Sequence, residues 1–188
     1  MFIQKNNYYL YIENTKILDL SLIKKRNKFI IIYRNLDGDE NLQQIVNFRK
    51  KCNQKGIKLY ISNNLSLAIK SGANGLYLSA HNKKIYHGKL LEIIGSAHNT
   101  KEINQKLRQG CKRIIISRLF KTDYKNKPSY LGVVKFNLMD NNYNVIFHKI
   151  PLGGIRLQNL NKLKTVRSEY FAILSEVKKK PAIIRRLF

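Results

Sequence analysis

Several short stretches of this chain carry side chains suited to handling an anion. Arg34 follows an apolar run and precedes NLDGDE; its guanidinium offers a fork of N–H donors to a phosphate or pyrophosphate. Ser96 and His98 close another run, where an imidazole can serve as general base or acid near neutral pH. Thr122 and Lys125 place a hydroxyl and an ammonium three residues apart in the long segment 118–132, which can fold over an anionic ligand. Gly153 and Gly154, in IPLGGI, let the backbone approach an anion and point N–H groups at it. Ser175 comes 21 residues after Gly154, at the start of an expected helix, a second place for a phosphate. Each feature also has a plain structural use as a surface charge, a helix cap or an ordered loop. Their meaning depends on whether one architecture gathers them.

The elements between them point to such an architecture. Eight short apolar runs recur: 8–12, 29–33, 58–62, 75–79, 92–96, 113–117, 145–153 and 170–175. Most are continuous rather than alternating, as in parallel strands buried on both faces. Helix-like stretches separate them. Residues 40–56 set Leu42, Ile45, Val46 and Phe48 near one face and end at Gly56. Residues 99–110 open on Asn99 or Thr100 as cap and end at Gly110; 63–72 also ends in glycine. Residues 156–166 make a further candidate, while 18–27 and 84–91 allow only short helices. This alternation predicts a compact single-domain α/β chain, a (β/α)8 TIM barrel with some short helices, spanning 1–188 as one domain. No GxGxxG follows the first strand, which argues against a dinucleotide fold. A barrel puts its chemistry on the loops after the strands, where all the residues named above fall.

The formal net charge is +25, from 36 Lys+Arg against 11 Asp+Glu. The charge is spread along the chain, and KKR (24–26), KKK (178–180) and RR (185–186) have no aromatic-flanked RNA motif beside them. Enrichment in Lys, Asn, Ile and Tyr, which AT-rich coding favours, accounts for it without a specific nucleic-acid partner. Cys52 and Cys111 stand at no metal-ligand spacing, and a reducing compartment suits them. The N-terminus lacks a signal-like apolar core and no run is long enough to span a membrane, so a cytoplasmic protein is expected.

These residues, in this order, resemble the thiamine phosphate synthase/TenI family of barrels, over about residues 29–178. Ser96, His98 and Glu102 are similar to the family's S-x-H with a Glu four residues on. Phe120, Thr122 and Lys125 match F-x-T-x-x-K; IPLGGI matches its glycine pair, and Ala172 with Ser175 its closing A-x-x-S. SGANGLYLSAHN (71–82) is similar to G-A-D-G-x-H-L-G-Q-x-D. The resemblance implies coupling of hydroxymethylpyrimidine pyrophosphate to a thiazole phosphate, with release of pyrophosphate. It implies that Arg34 and Lys125 hold pyrophosphate, that Gly153, Gly154 and Ser175 hold the thiazole phosphate, and that Ser96 and Thr122 line the centre, with His98, Lys125 and Ser96 nearest the chemistry. It also implies Mg²⁺ to neutralise the leaving group. Here the chain departs from the pattern. Q-x-R-x-K reads Ile32, Arg34, Leu36, and the two expected Mg²⁺ carboxylates read Asn63 and Asn82. Amides are poor substitutes for a hard cation, so no metal ligand is assigned, although Asp37, Asp39 or Glu40 lie in the strand-2 loop. The family's second branch, a thiazole tautomerase without metal, is the alternative; His98 would be its base and KTDYK (121–125) looks closer to its loop. A nucleic-acid or regulatory binder on this scaffold has only the charge in its favour. The partners implied are phosphorylated pyrimidine and thiazole molecules, with a homodimer as a further expectation.

Overall fold

The structure, a computed structural model, describes residues 7–23, 28–35, 38, 40–86, 91–122, 129–139 and 147–173. Eight parallel strands close into a barrel in chain order. They are β1 (Asn7–Ile12), β2 (Phe29–Tyr33), β3 (Lys58–Ser62), β4 (Gly75–Leu78), β5 (Glu92–Ala97), β6 (Arg113–Ser117), β7 (His148–Leu152) and β8 (Tyr170–Ile173). β8 pairs with both β7 and β1, which closes the ring and leaves no open edge among the described strands.

Side-chain alternation divides the buried residues into two cores. Tyr9, Tyr11, Ile30, Ile32, Tyr60, Tyr77, Ile94, Ile115, Ile150 and Ala172 fill the barrel. Their neighbours in sequence, such as Leu10, Ile31, Leu59 and Ile114, face outward into the layer under the helices. Both faces of most strands are thus apolar, the physical reason the runs read as continuous.

Three helices cover the barrel much as the spacing predicts. α1 (Leu42–Gln54) starts from a capping box between Asn41 and Gln44. α2 (Leu65–Lys70) is capped by Asn64, and α3 (Thr100–Arg108) by Asn99. Gly56, Gly72 and Gly110 each follow two residues after their helix. The buried face of α1 is Ile45, Phe48 and Cys52; Leu42, expected on it, is exposed because it sits in the first turn beyond the barrel's reach. α4 (Gly132–Leu138) was not expected as a helix. Its sequence, GVVKFNL, has a valine pair, poor helix formers, and Phe136 is its buried anchor.

The candidate helix at 156–166 is instead a 3₁₀ segment, Leu157–Thr165. The short helix expected within 18–27 reduces to a 3₁₀ turn, Leu20–Leu22, begun by Asp19, which accepts from the Ser21 N–H, and ended at Ile23, whose backbone is extended. Residues 84–86 are irregular, so the helix expected over 84–91 does not begin there. Among the described residues no helix is long and apolar enough to cross a membrane.

Candidate active site

The inward alternation of each strand, carried two residues further, builds the mouth at the C-terminal ends. From Ile32 it reaches Arg34, from Tyr60 Ser62, from Ile94 Ser96 and then His98, and from Ile115 Ser117. Ser96 lies within β5, inside the apolar run expected over 92–96, and is buried. The Tyr77 hydroxyl donates to Ser96 Oγ at 2.8 Å. Tyr11 meets Tyr77 edge-on, ring centroids 5.5 Å apart. Burial pushes both phenols above their ordinary pKa; the neighbouring Tyr77 hydroxyl adds to the rise at Tyr11, while hydrogen bonding with Ser96 and Tyr11, and the Arg34 charge, oppose it at Tyr77. Ser62 Oγ is buried with no hydrogen-bond partner among the described residues, and the buried Tyr11 hydroxyl has only Tyr77 beside it.

His98 sits beside this cluster. Its Nδ1 is 2.8 Å from Ser117 Oγ. Its backbone N–H donates to Glu102 Oε2 at 2.7 Å, while the Glu102 N–H donates to the Asn99 side chain at 2.9 Å. This gives a physical reason for a glutamate four residues after the histidine: it returns from the first turn of α3 to hold the strand's exit.

Across the mouth the loop after β6 and the loop after β7 are packed backbone to backbone. Gly153 and Gly154 adopt φ of +97° and +68°, conformations that L side chains rarely take. A Cβ on Gly154 would lie 2.5 Å from the Lys121 carbonyl oxygen and 2.6 Å from that of Phe120. A Cβ on Gly153 would meet the stem of Arg118 at 3.0 Å. The Phe120 N–H donates to the Gly153 carbonyl at 3.0 Å, and the Arg118 guanidinium to Thr122 Oγ1 at 3.3 Å. Thr122 and the glycine pair are thus brought together, with Arg118 between them. No described hydrogen bond engages the N–H of Gly153 or Gly154. Lys125 and Ser175 lie outside the described residues, as do Asp37 and Asp39.

Asn63 and Asn82, at the expected metal-ligand positions, do come together, but as an amide pair. Asn63 Oδ1 accepts from the Ser79 N–H at 2.9 Å and from Asn82 Nδ2 at 3.0 Å. Asn82 Oδ1 accepts from the Lys84 N–H at 2.9 Å. Asn63 takes a positive φ, 56°, to make these bonds. Both lone-pair directions of the Asn63 oxygen are in use, and neither residue brings charge. Glu40 is also engaged, accepting from Thr15 and from the Tyr33 hydroxyl at 2.7 Å. Among the described residues no group of three or more His, Cys, Asp or Glu could hold a metal ion. This donor set does not fit a protein-held Mg²⁺.

Tyr11, Tyr77, Ser117 and Arg118 were not singled out from sequence. Two of them, Tyr77 and Ser117, share the inward alternation with residues that were, and counting in twos along each strand would have found them.

Relatives give the architecture its place. The chain is 26% identical over 179 residues to thiamine-phosphate synthase of Prochlorococcus marinus (strain AS9601), matching 93% of this chain and 49% of that protein. Against the enzyme of P. marinus subsp. pastoris it is 29% identical, over 92% of this chain and 51% of the relative. The chain therefore spans about half the length of these relatives. Thiamine-phosphate synthase of Clostridioides difficile (strain 630) is 22% identical, matching 92% of this chain and 81% of that one. Among solved structures, thiamine phosphate pyrophosphorylase from Pyrococcus furiosus superposes with a TM-score of 0.70 at 16% identity, over 97% of this chain and 95% of that one, a likeness of fold. With residues 12–177 matching the family described as thiamine monophosphate synthase, this barrel belongs to that family.

Proposed function

We propose that this chain is a thiamine-phosphate synthase, coupling hydroxymethylpyrimidine pyrophosphate to a thiazole phosphate and releasing pyrophosphate. The observation that carries the reading is the left-handed Gly153–Gly154 turn, packed on the Phe120–Lys121 backbone beside Thr122 and Arg118. Its N–H groups and the neighbouring guanidinium suit a phosphate monoester. Arg34, on the other side of the mouth, suits the second anion. Lys125 and Ser175 join these groups in the proposal.

In this reading the thiazole nitrogen attacks the methylene carbon of the pyrimidine; a C–N bond forms as the C–O bond to pyrophosphate breaks. The protein's part is to align the two rings and to meet the negative charge that grows on the departing oxygen. Arg34 and Lys125 do the second, and Ser96 lies where the rings would meet. Mg²⁺, the cofactor expected of the family, finds no fitting protein ligands in Asn63 and Asn82, so no step is drawn through it.

The test is a coupling assay with purified protein and both phosphorylated substrates, with and without Mg²⁺. Thiamine phosphate with matching release of pyrophosphate is expected; no product under either condition removes the reading. A second reading, tautomerisation of a thiazole carboxylate phosphate, is favoured by the His98–Ser117 contact and by the amide pair at the metal position. If it holds, His98→Ala loses the tautomerase rate. The proposal also includes a single domain over 1–188, a cytoplasmic setting, which two buried free thiols suit, and a homodimer, which sedimentation would measure.

A further inference from the structure

The barrel centre carries more hydroxyls than the proposed reaction has used. Tyr11 on β1, Ser62 on β3, Tyr77 on β4 and Ser96 on β5 all face inward near the C-terminal ends of their strands. Ser62 stands opposite Tyr77 in the β3–β4 register, and Tyr11 opposite Ile32 in the β1–β2 register. Of the four, Ser62 has a buried oxygen that no described group satisfies, and the buried Tyr11 hydroxyl has only the Tyr77 hydroxyl beside it. Burying hydroxyls with so little to satisfy them costs stability, so they mark a floor prepared for polar atoms that arrive with a ligand or water.

The other two are joined. Tyr77 is 4% exposed, and its hydroxyl proton is committed to Ser96 Oγ at 2.8 Å. Ser96 is 7% exposed and makes no other hydrogen bond among the described residues. A serine oxygen that already accepts from a fixed phenol has its own proton left to donate. That proton is free to point to the mouth, between Arg34 and His98. Tyr77 also stands where the motif quoted above carries histidine, and Ile32 where it carries glutamine. The serine of the S-x-H motif is kept, and in this chain a tyrosine stands against it.

We propose that Tyr77 is a positioning residue: it holds Ser96 as an acceptor, so that Ser96 donates its hydroxyl proton to a ring heteroatom of the bound substrate, above a floor completed by Tyr11 and Ser62. The assignment rests on the synthase reading for the identity of the substrate, and its test separates the two. Tyr77→Phe keeps the ring that packs on Tyr11 and removes only the donor oxygen. It is expected to lower kcat/KM for coupling about tenfold, the scale of one neutral hydrogen bond, with the melting temperature little changed. Ser96→Ala is expected to lose a similar factor, and the double variant to lose no more than Ser96→Ala alone. A role for Tyr77 in packing alone would not vanish on the Ser96→Ala background.

Ser96→Thr keeps the accepting oxygen without touching the tyrosine and is expected to retain activity. The proposal is overturned if Tyr77→Phe matches wild type, if the two losses multiply, or if Ser96→Thr falls as far as Ser96→Ala. If the wild-type protein makes no thiamine phosphate but binds the thiazole phosphate in a titration, the synthase reading fails and the same cycle is read on Kd with the same expected pattern. If it neither couples nor binds that compound, both fall.

Discussion

Glu40 shows how single residues set the shape of the mouth. It sits on the loop after β2, yet its carboxylate is spent on the loop after β1, accepting from the Thr15 amide at 2.9 Å and from the Thr15 hydroxyl, and from Tyr33. Burial raises its pKa, but the hydrogen bonds from Thr15 and Tyr33 outweigh that and hold it below the ordinary carboxylate value. A folded-state pKa below the unfolded one contributes stability above the unfolded value and loses it as pH falls through the folded one. Glu40→Gln is therefore predicted to be less stable than wild type at neutral pH, by about 1 kcal/mol. The gap should close as pH falls below the ordinary carboxylate range, and urea unfolding across pH checks this. The same residue shows what sequence could not reveal: as one of three acids in a loop it reads as a spare anion, and only the fold shows that its oxygens are taken.

At the scale of elements, α3 does more than cover the barrel. Its first turn holds His98 through Glu102. From its last turns, Lys106 and Gln109 reach the β4 loop: Lys106 Nζ donates to the Asn82 carbonyl at 2.7 Å and to Gln109 Oε1 at 3.0 Å, and Gln109 Nε2 donates to the Lys84 carbonyl at 2.7 Å. Burial holds the Lys106 pKa below the ordinary lysine value, with Cys111 and Glu102 opposing it. Lys106→Met keeps the stem that fills the space over Gly95 but removes the bonds to the β4 loop. It is predicted to cost about 2 kcal/mol and to loosen the Asn63–Asn82 pair, seen as faster amide exchange at Ser79 and Lys84. The strands and the α1–α3 boundaries were legible because continuous apolar runs, Asn caps and following glycines are local signals. The 3₁₀ segment Leu157–Thr165 and α4 were not, because tertiary packing decides them: Phe136 anchors α4, and Lys149, buried beneath it, donates to the Phe136 carbonyl. The site was legible where a motif named it and silent at Tyr11 and Tyr77, whose meaning comes from meeting edge-on inside the ring.

On the scale of the whole molecule, the barrel keeps two separate polar layers with an apolar one between. At the N-terminal ends, Glu92 is ion-paired with Arg113 and accepts from the Tyr60 hydroxyl, while Arg113 also donates to the Tyr9 hydroxyl at 3.0 Å. That layer closes the bottom of the barrel. Ile30, Ile32, Ile94, Ile115 and Ile150 belong to the core that fills the space above it. The hydroxyls, Arg34 and His98 gather at the other end, where barrel enzymes keep their chemistry. The net charge of +25 suits anionic substrates as a general field. In the proposed coupling reaction the Gly153–Gly154 turn receives the thiazole phosphate. The most direct measurement is steady-state thiamine phosphate formation by wild type and Gly153→Ala, varying each substrate in turn. The account predicts turnover by wild type and, in the variant, a KM for thiazole phosphate raised about tenfold with the KM for the pyrimidine pyrophosphate unchanged. Absence of product from wild type, or equal KM values for thiazole phosphate in the two proteins, would contradict it.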